Sequence, residues 1–343
     1  MLAPSLSSNE FTERQTRNRS IDQPTTIVDI TYKCNSTCKY CQWGNFNNTY
    51  RKHLPLKDTC LSTQTIKVLG TKRIVLSGGE PCLHPKLPQI LSYYKKIVDS
   101  VIVMSNGYGL GRKEIAQLVG YGATGITVSL DSINPNESKL IRETPLNMHR
   151  QIVSNLKDIG EHHRDFELGI NAVVSHITAK WKSVHNLLEF GQTIGVDYIK
   201  FQPIFDDGYV RLNAPHLMLT ASDSQELFRI GSLLETLCHP LTNPSGFWKN
   251  LSDLTVGKEL SSASCNLGSN HSIAIRNNLS VCYWLDKVSY GKVTSTLEVQ
   301  DMSKTRNSFE EAKARCKVDF HCFCAQELSH IWETKGRADN ELR

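Results

Sequence analysis

The sequence predicts an α/β protein: an open, incomplete barrel of six parallel strand–helix units followed by a small cysteine-rich domain. Three observations predict it. From residue 26 to 202, short β-rich runs alternate with longer amphipathic stretches, a pattern that right-handed crossovers turn into a parallel sheet. The alternation stops after six units, short of the eight that close a barrel. Beyond it, Cys265, Cys282, Cys316, Cys322 and Cys324 crowd the end of the chain.

Each element has its own signal. Thr26–Tyr32 (TIVDITY), Arg73–Leu76 (RIVL), Val101–Met104 (VIVM), Gly125–Leu130 (GITVSL), Phe166–Val174 (FELGINAVV) and Tyr198–Gln202 (YIKFQ) are β-rich runs of strand length. Helices are expected between them near 62–69, 86–97, 111–120, 148–161 and 180–194. Residues 203–220 read as a loop and 222–238 as a helix. The stretch 240–264 is rich in Ser, Asn and Pro and reads as a bridge. The expected division is an N-terminal arm over 1–25, the barrel over 26–238, and the cysteine-rich domain with its bridge over 239–343.

Composition removes several function classes. The 343 residues are 39% apolar and 21% charged, ordinary for a soluble globular chain. No apolar run approaches the roughly 20 residues that span a bilayer, and residues 1–25 carry no apolar signal-peptide core. The net charge of +5 comes from scattered Lys and Arg, which argues against a nucleic-acid partner. Eleven cysteines in a chain with no export signal point to a reduced, cytoplasmic protein that uses them for metal rather than disulfides.

Cys34, Cys38 and Cys41 have the spacing C-x3-C-x2-C on the loop after the first strand. Thiolates ligate iron–sulfur clusters and zinc alike. Three of them can hold three irons of a cubane and leave the fourth open, or form part of a zinc site that a distant residue completes.

Further motifs follow the next strands: Ser77-Gly78-Gly79-Glu80-Pro81, Ser105-Asn106-Gly107 and Ser129-Leu130-Asp131-Ser132. With the three cysteines, they make residues 34 to 202 resemble the radical S-adenosylmethionine (SAM) superfamily. The resemblance implies a partial (β/α)6 barrel and a [4Fe–4S] cluster on Cys34, Cys38 and Cys41. It also implies SAM on the open iron, cleaved reductively to a 5′-deoxyadenosyl radical. Tyr40 takes the place of the aromatic before the third cysteine. Gly78, Gly79, Glu80 and Pro81 match the family's GGEP motif, whose glycines let the backbone approach the methionine moiety while the carboxylate meets its ammonium group. Ser105, Asn106, Ser129 and Asp131 are then contacts to ribose hydroxyls or substrate, the alternative being turn formers at strand ends. Arg142 matches an arginine near the SAM carboxylate, or is a solvated helix arginine. Asn171 and Gln202 meet the adenosyl group or the substrate, and His84 is structural.

The late cysteines resemble a SPASM or twitch domain, with Leu279–Cys282 as the return strand of a hairpin. One auxiliary [4Fe–4S] cluster is expected on Cys265, Cys282, Cys322 and Cys324, with Cys316 in reserve; a four-cysteine zinc site is the alternative. Cys238, between the two domains, is a candidate hydrogen-atom donor of the kind radical SAM epimerases use. Cys60 and Cys82 read as small apolar fillers. The implied function is a radical SAM oxidoreductase or epimerase that takes a hydrogen atom from a small molecule, such as a carbohydrate or natural-product intermediate. A ribosomally made peptide is the alternative substrate, and flavodoxin or ferredoxin the expected class of electron donor. An iron–sulfur electron carrier or zinc scaffold is the non-enzymatic reading, and it would need no GGEP motif.

Overall fold

The computed structural model describes residues 24–41, 52–163, 165–204, 209–237, 245–258, 271–275, 278–281, 289–295 and 297–313. In chain order it contains β1 (Thr25–Thr31), α1 (Leu56–Thr59), α2 (Thr63–Leu69), β2 (Arg73–Gly78), α3 (Leu87–Tyr94), β3 (Ser100–Ser105), α4 (Arg112–Tyr121) and β4 (Gly125–Ser129). Then come α5 (Pro135–Arg142), α6 (Leu146–His162), β5 (Glu167–Val174), α7 (Trp181–Ile194), β6 (Tyr198–Pro203), α8 (Tyr209–Asn213) and α9 (Ser224–Leu237). The last elements are α10 (Ser245–Thr255), β7 (His271–Ile275), β8 (Asn278–Ser280), β9 (Ser289–Lys292) and α11 (Val299–Lys313). All six expected strands form, and they pair in parallel in the order β1 to β6.

Local chemistry sets the boundaries. Ser62 caps α2 by accepting the Thr65 N–H at 3.0 Å, and Asn134 caps α5 by accepting the Asn136 N–H at 3.0 Å ahead of Pro135. In register across the sheet, Val28, Ile74, Leu76, Val101, Val103, Ile126, Val128, Leu168, Ile170, Ile199 and Phe201 form one face, buried in the main core with Ile90, Ile115, Leu156 and Leu187 of the helices. Each such side chain contributes about 1.5–3 kcal/mol.

The opposite face is concave. Arg73 opens β2 and Glu167 opens β5, and the guanidinium grips the carboxylate with both terminal nitrogens. On a flat sheet these strands would stand three spacings, about 14 Å, apart. Direct contact requires the sheet to curl toward the side that carries both residues. Tyr198 of β6 likewise reaches Thr127 of β4, hydroxyl to hydroxyl at 2.6 Å, across Gly169 of β5. The N-terminal half of the concave face is therefore filled by polar side chains. Its other half carries the partly exposed Ser77, Met104, Ser129, Val173, Lys200 and Gln202.

The structure departs from the sequence reading at several points. The expected loop 203–220 contains α8. The bridge contains α10, whose Phe247, Trp248, Leu251 and Leu254 are buried on one helical face; the surrounding polar composition masks this spacing. Trp248 packs on Phe201 of β6 with ring centroids 5.0 Å apart. Helix α5 was not expected and bears directly on the site. Finally, β7 pairs in parallel with β1, so the β7–β8 hairpin and β9 continue the barrel sheet to nine strands. The return strand is Asn278–Ser280.

Cys238, Cys265, Cys282, Cys316, Cys322 and Cys324 lie outside the described residues, as does most of the expected N-terminal arm. Among the described residues, no helix is long and apolar enough to cross a membrane.

Candidate active site

Residues 32–41 leave the C-terminal end of β1 and carry Cys34, Cys38 and Cys41. None is in a disulfide, and Cys38 is buried while its two companions are half-buried. The loop is turned by the Cys41 N–H donating to the Cys38 carbonyl at 3.1 Å. The Cys34 sulfur accepts the Ser36 N–H at 3.4 Å. Burial pushes the Cys34 thiol above its ordinary value, with Glu80 and Cys38 adding to the rise. Among the described residues, no three His, Cys, Asp or Glu side chains are grouped to hold a metal ion. Three thiols from one short loop fit a cubane, in which each ligand takes a different iron.

The loop is held from three neighbouring strand ends and one helix end. At β2, Gly79 N–H donates to the Thr31 carbonyl and Glu80 N–H to the Lys33 carbonyl, both at 2.7 Å. A Cβ on Gly78 would lie 2.2 Å from the Thr31 oxygen, and one on Gly79 2.2 Å from the Lys33 oxygen. Only hydrogen fits there. The paired glycines thus admit the cysteine loop's own backbone.

Glu80 is 1% exposed. Its Oε1 accepts the Cys82 N–H at 3.0 Å and the Ser105 hydroxyl at 2.9 Å, and its Oε2 accepts the Asn106 N–H at 2.7 Å. Burial raises its pKa despite these donors. Glu80 therefore ties the end of β2 to the end of β3. Asn106 passes the connection on, its Nδ2 donating to Asn35 Oδ1 at 2.7 Å and Ser36 Oγ at 3.1 Å. Its Oδ1 accepts the Tyr108 N–H at 2.9 Å, so the turn-forming reading of Asn106 holds as well. Pro81 opens a short 3-10 turn capped by Glu80. His84 is structural as expected: Nε2 lies 2.9 Å from the Leu54 carbonyl, and Nδ1 accepts the Lys86 N–H.

On the far side, the Tyr40 hydroxyl donates to Asp131 Oδ2 at 3.1 Å, and Asp131 Oδ1 accepts the Val173 N–H at 2.9 Å. The Lys39 N–H donates to the Ile141 carbonyl at 3.2 Å, docking the loop on the end of α5. Arg142 is 8% exposed, so the solvated-arginine reading is wrong. Its Nη1 donates to the Ser129 carbonyl at 2.6 Å, and its Nε lies 4.0 Å from Asp131 Oδ2. Burial lowers its pKa, but Cys38, Tyr40 and Asp131 outweigh burial and raise it above the ordinary arginine value. Burial raises the Asp131 carboxyl, against Arg142 and its hydrogen-bond donors, and raises Tyr40 too.

Ser129, Asn171 and Lys200 stand in one register row across β4, β5 and β6. Asn171 Nδ2 donates to Gln202 Oε1 at 3.3 Å, and its buried Oδ1 has no hydrogen-bond partner. Sequence reasoning missed Asn35, Ser36 and Lys200. The alternation Tyr198, Lys200, Gln202 against Ile199, Phe201 could have revealed Lys200. Nothing local marks the other two.

Comparison with known proteins bears on this arrangement. Residues 28–175 match the Radical SAM superfamily, whose members use a [4Fe–4S] cluster and SAM. A probable GTP 3′,8-cyclase of Pyrobaculum aerophilum is 27% identical over 177 residues, covering 50% of this chain and 55% of the relative. The GTP 3′,8-cyclase of Syntrophomonas wolfei is 32% identical over 118 residues, 33% of this chain and 36% of the relative. The chain thus spans about a third to a half of the length of these curated relatives. Among solved structures, Streptococcus suis SuiB bound to SAM superposes with TM-score 0.61 at 12% identity, over 95% of this chain and 76% of that one. The enzyme anSMEcpe with bound SAM and the Cp18Cys peptide gives 0.60 at 15%, over 93% and 100%. At these identities the likeness is one of fold.

Proposed function

We propose that this chain, whose residues 28–175 are a radical SAM domain, generates a substrate radical by removing a hydrogen atom from a small molecule held on the concave face of the sheet. When bound, a [4Fe–4S] cluster and SAM supply the 5′-deoxyadenosyl radical. In this reading Cys34, Cys38 and Cys41 hold the cluster. Gly78, Gly79, Glu80 and Asn106 hold the loop that carries them. Ser105, Ser129, Asp131, Arg142, Asn171 and Gln202 line or support the space where SAM and substrate meet, and a late cysteine set adds one auxiliary cluster.

The observation that carries the reading is the grip on the cysteine loop from the ends of β2, β3, β4 and α5, with three cysteines that are in no disulfide. A loop held this way has its ligands ordered before metal arrives. The partly exposed polar row above a filled floor gives a ligand a bounded place to sit. A small-molecule substrate is supported by relatives named for a reaction of GTP, although they share only part of their length with this chain. The outcome is oxidation, epimerisation or formation of a new bond. A peptide substrate is the second reading, favoured by neighbours solved with peptides.

The test is anaerobic. The full chain, reconstituted with iron and sulfide and reduced in the presence of SAM, should release 5′-deoxyadenosine, and Cys34→Ala should not. SAM left intact by the wild-type chain under strong reductant would sink the proposal.

A further inference from the structure

A basic surface flanks the cysteine loop, and its use rests on the function proposed above. Residues 52–54 are pinned beside the end of β1, Tyr32 N–H donating to the Lys52 carbonyl at 2.8 Å and Leu54 N–H to the Ile30 carbonyl at 3.0 Å. His53 Nδ1 lies 2.9 Å from the Thr31 hydroxyl, and its ring meets that of His84 edge-on with centroids 5.0 Å apart. His84 in turn holds the Leu54 carbonyl and the Lys86 N–H, while the Lys33 carbonyl accepts the Glu80 N–H. These contacts join the segments that follow β1 and β2 into one surface. Lys33, Lys52, Lys57 and Lys86 are exposed on it. Among the described residues none of these lysines is in an ion pair, whereas Lys39 faces Glu143 at 3.7 Å. The carboxylates of the same segments do not answer them: Glu80 is 1% exposed and Asp58 is half-buried. Leu56 and Leu83, 38% and 41% exposed, belong to the same segments.

We propose that this surface, formed by Lys33, Lys52, Lys57 and Lys86 with Leu56 and Leu83, docks an acidic flavodoxin that delivers the electron the cluster needs. Exposed cations with no carboxylate beside them steer an anionic protein from a distance. A brief electron-transfer encounter needs less than about 1,200 Å² of contact, which a surface of this kind can supply. The leucines fit the apolar dimethylbenzene edge of a flavin, and this favours flavodoxin over an iron–sulfur ferredoxin. The place also fits, because Lys33 adjoins Cys34 on the loop that carries the three thiols. One electron passes at a time: the anionic flavin hydroquinone becomes the neutral semiquinone, the cluster is reduced by one electron, and no proton moves.

Binding and electron transfer are measured separately. Oxidised flavodoxin is titrated by calorimetry into the cluster-free and the reconstituted full chain at low salt. Stopped-flow absorbance then follows flavodoxin hydroquinone turning to semiquinone on the reconstituted chain. Lys57→Glu combined with Lys86→Glu should weaken binding and slow the transfer about tenfold, an effect that shrinks at high salt. The control is Lys67→Glu with Lys157→Glu, exposed toward the C-terminal ends of α2 and α6 and so at the opposite end of the barrel; it should bind as wild type does. Cleavage of SAM driven by dithionite, which needs no docking, should be the same in all three chains. Unchanged binding by the Lys57/Lys86 variant, an equal loss in the control, or no binding by wild type overturns the inference, as does a ferredoxin of similar charge that binds this surface more tightly. If the Lys57/Lys86 variant fails to fold, carbodiimide coupling of wild type to flavodoxin decides. The coupled lysines, mapped by mass spectrometry, should include Lys33, Lys52, Lys57 or Lys86, and coupling confined to other lysines overturns the inference. A wild-type chain that binds flavodoxin here but leaves SAM intact under dithionite sinks the proposed function alone; one that cleaves SAM with dithionite but binds no flavodoxin sinks only the inference.

Discussion

Replacing Gly79 by alanine should dislodge the cysteine loop without touching any thiol. The new Cβ would lie 2.2 Å from the Lys33 carbonyl oxygen, 2.7 Å from its carbon and 3.1 Å from the Tyr32 carbonyl carbon. All three are backbone atoms, so no side chain can swing aside. Restoring a tolerable contact requires the ends of β1 and β2 to part by about 1 Å. That would stretch the bonds from Gly79 N–H to Thr31 and from Glu80 N–H to Lys33, now 2.7 Å each, beyond useful hydrogen-bond length. Two buried backbone hydrogen bonds at roughly 1 kcal/mol each, plus partial loss of the Asn106 contacts, give about 2–3 kcal/mol. Gly70→Ala is the control, because Gly70 has φ +65° and nothing within 4 Å. It should cost only the roughly 1 kcal/mol of a left-handed alanine. Thermal melts of the two full-length variants measure the stability loss, and iron and sulfide analysis after reconstitution measures the loop. Gly79→Ala should melt several degrees lower and bind markedly less iron, while Gly70→Ala keeps its iron. A Gly79→Ala chain that holds a full complement of iron at the wild-type melting temperature would refute the argument.

Two further expectations follow from buried charges. Burial raises the Glu80 pKa above 4.5, so the folded chain keeps this proton to higher pH than the unfolded chain, and the associated stability is lost as pH rises through the folded value. Glu80→Gln should be destabilised by about 1–3 kcal/mol, because an amide nitrogen would face either the Asn106 N–H or the donors Cys82 N–H and Ser105. Its deficit should be largest below the unfolded carboxyl value, about pH 4, and shrink as pH rises; denaturant titrations of the cluster-free chain that show the deficit growing with pH would contradict this. At the other end of the barrel, Glu167→Ala leaves the buried Arg73 guanidinium without its carboxylate. It should cost about 3–5 kcal/mol while the protein that remains folded binds iron normally, read by calorimetry and iron content. A melting temperature unchanged from wild type would show the pair to be unimportant.

Much of this protein could be read from residue order alone. The six strands appear where β-rich runs occur, because strand length and alternation are local properties. The three thiols fall on the loop after β1 because their spacing is written in eight consecutive residues. The concave row could be read as far as Asn171 and Gln202 for the same reason. Helix α10 is obscured because the Ser, Asn and Pro around it mask the periodic placement of Phe247, Trp248, Leu251 and Leu254.

Only the curled sheet decided what those residues do. It joins Tyr40 to Asp131 across 91 positions and Asn106 to Asn35 across 71, and it brings Arg73 onto Glu167 across two intervening strands. It turned Glu80 inward, set the glycine pair against the cysteine loop's own carbonyls, and buried Arg142 against Ser129 and Asp131. Local sequence fixes backbone preference and periodicity, which act over a few residues. Which side chains share a buried space depends on strand order and curvature, and these arise only when the whole sheet assembles and curls.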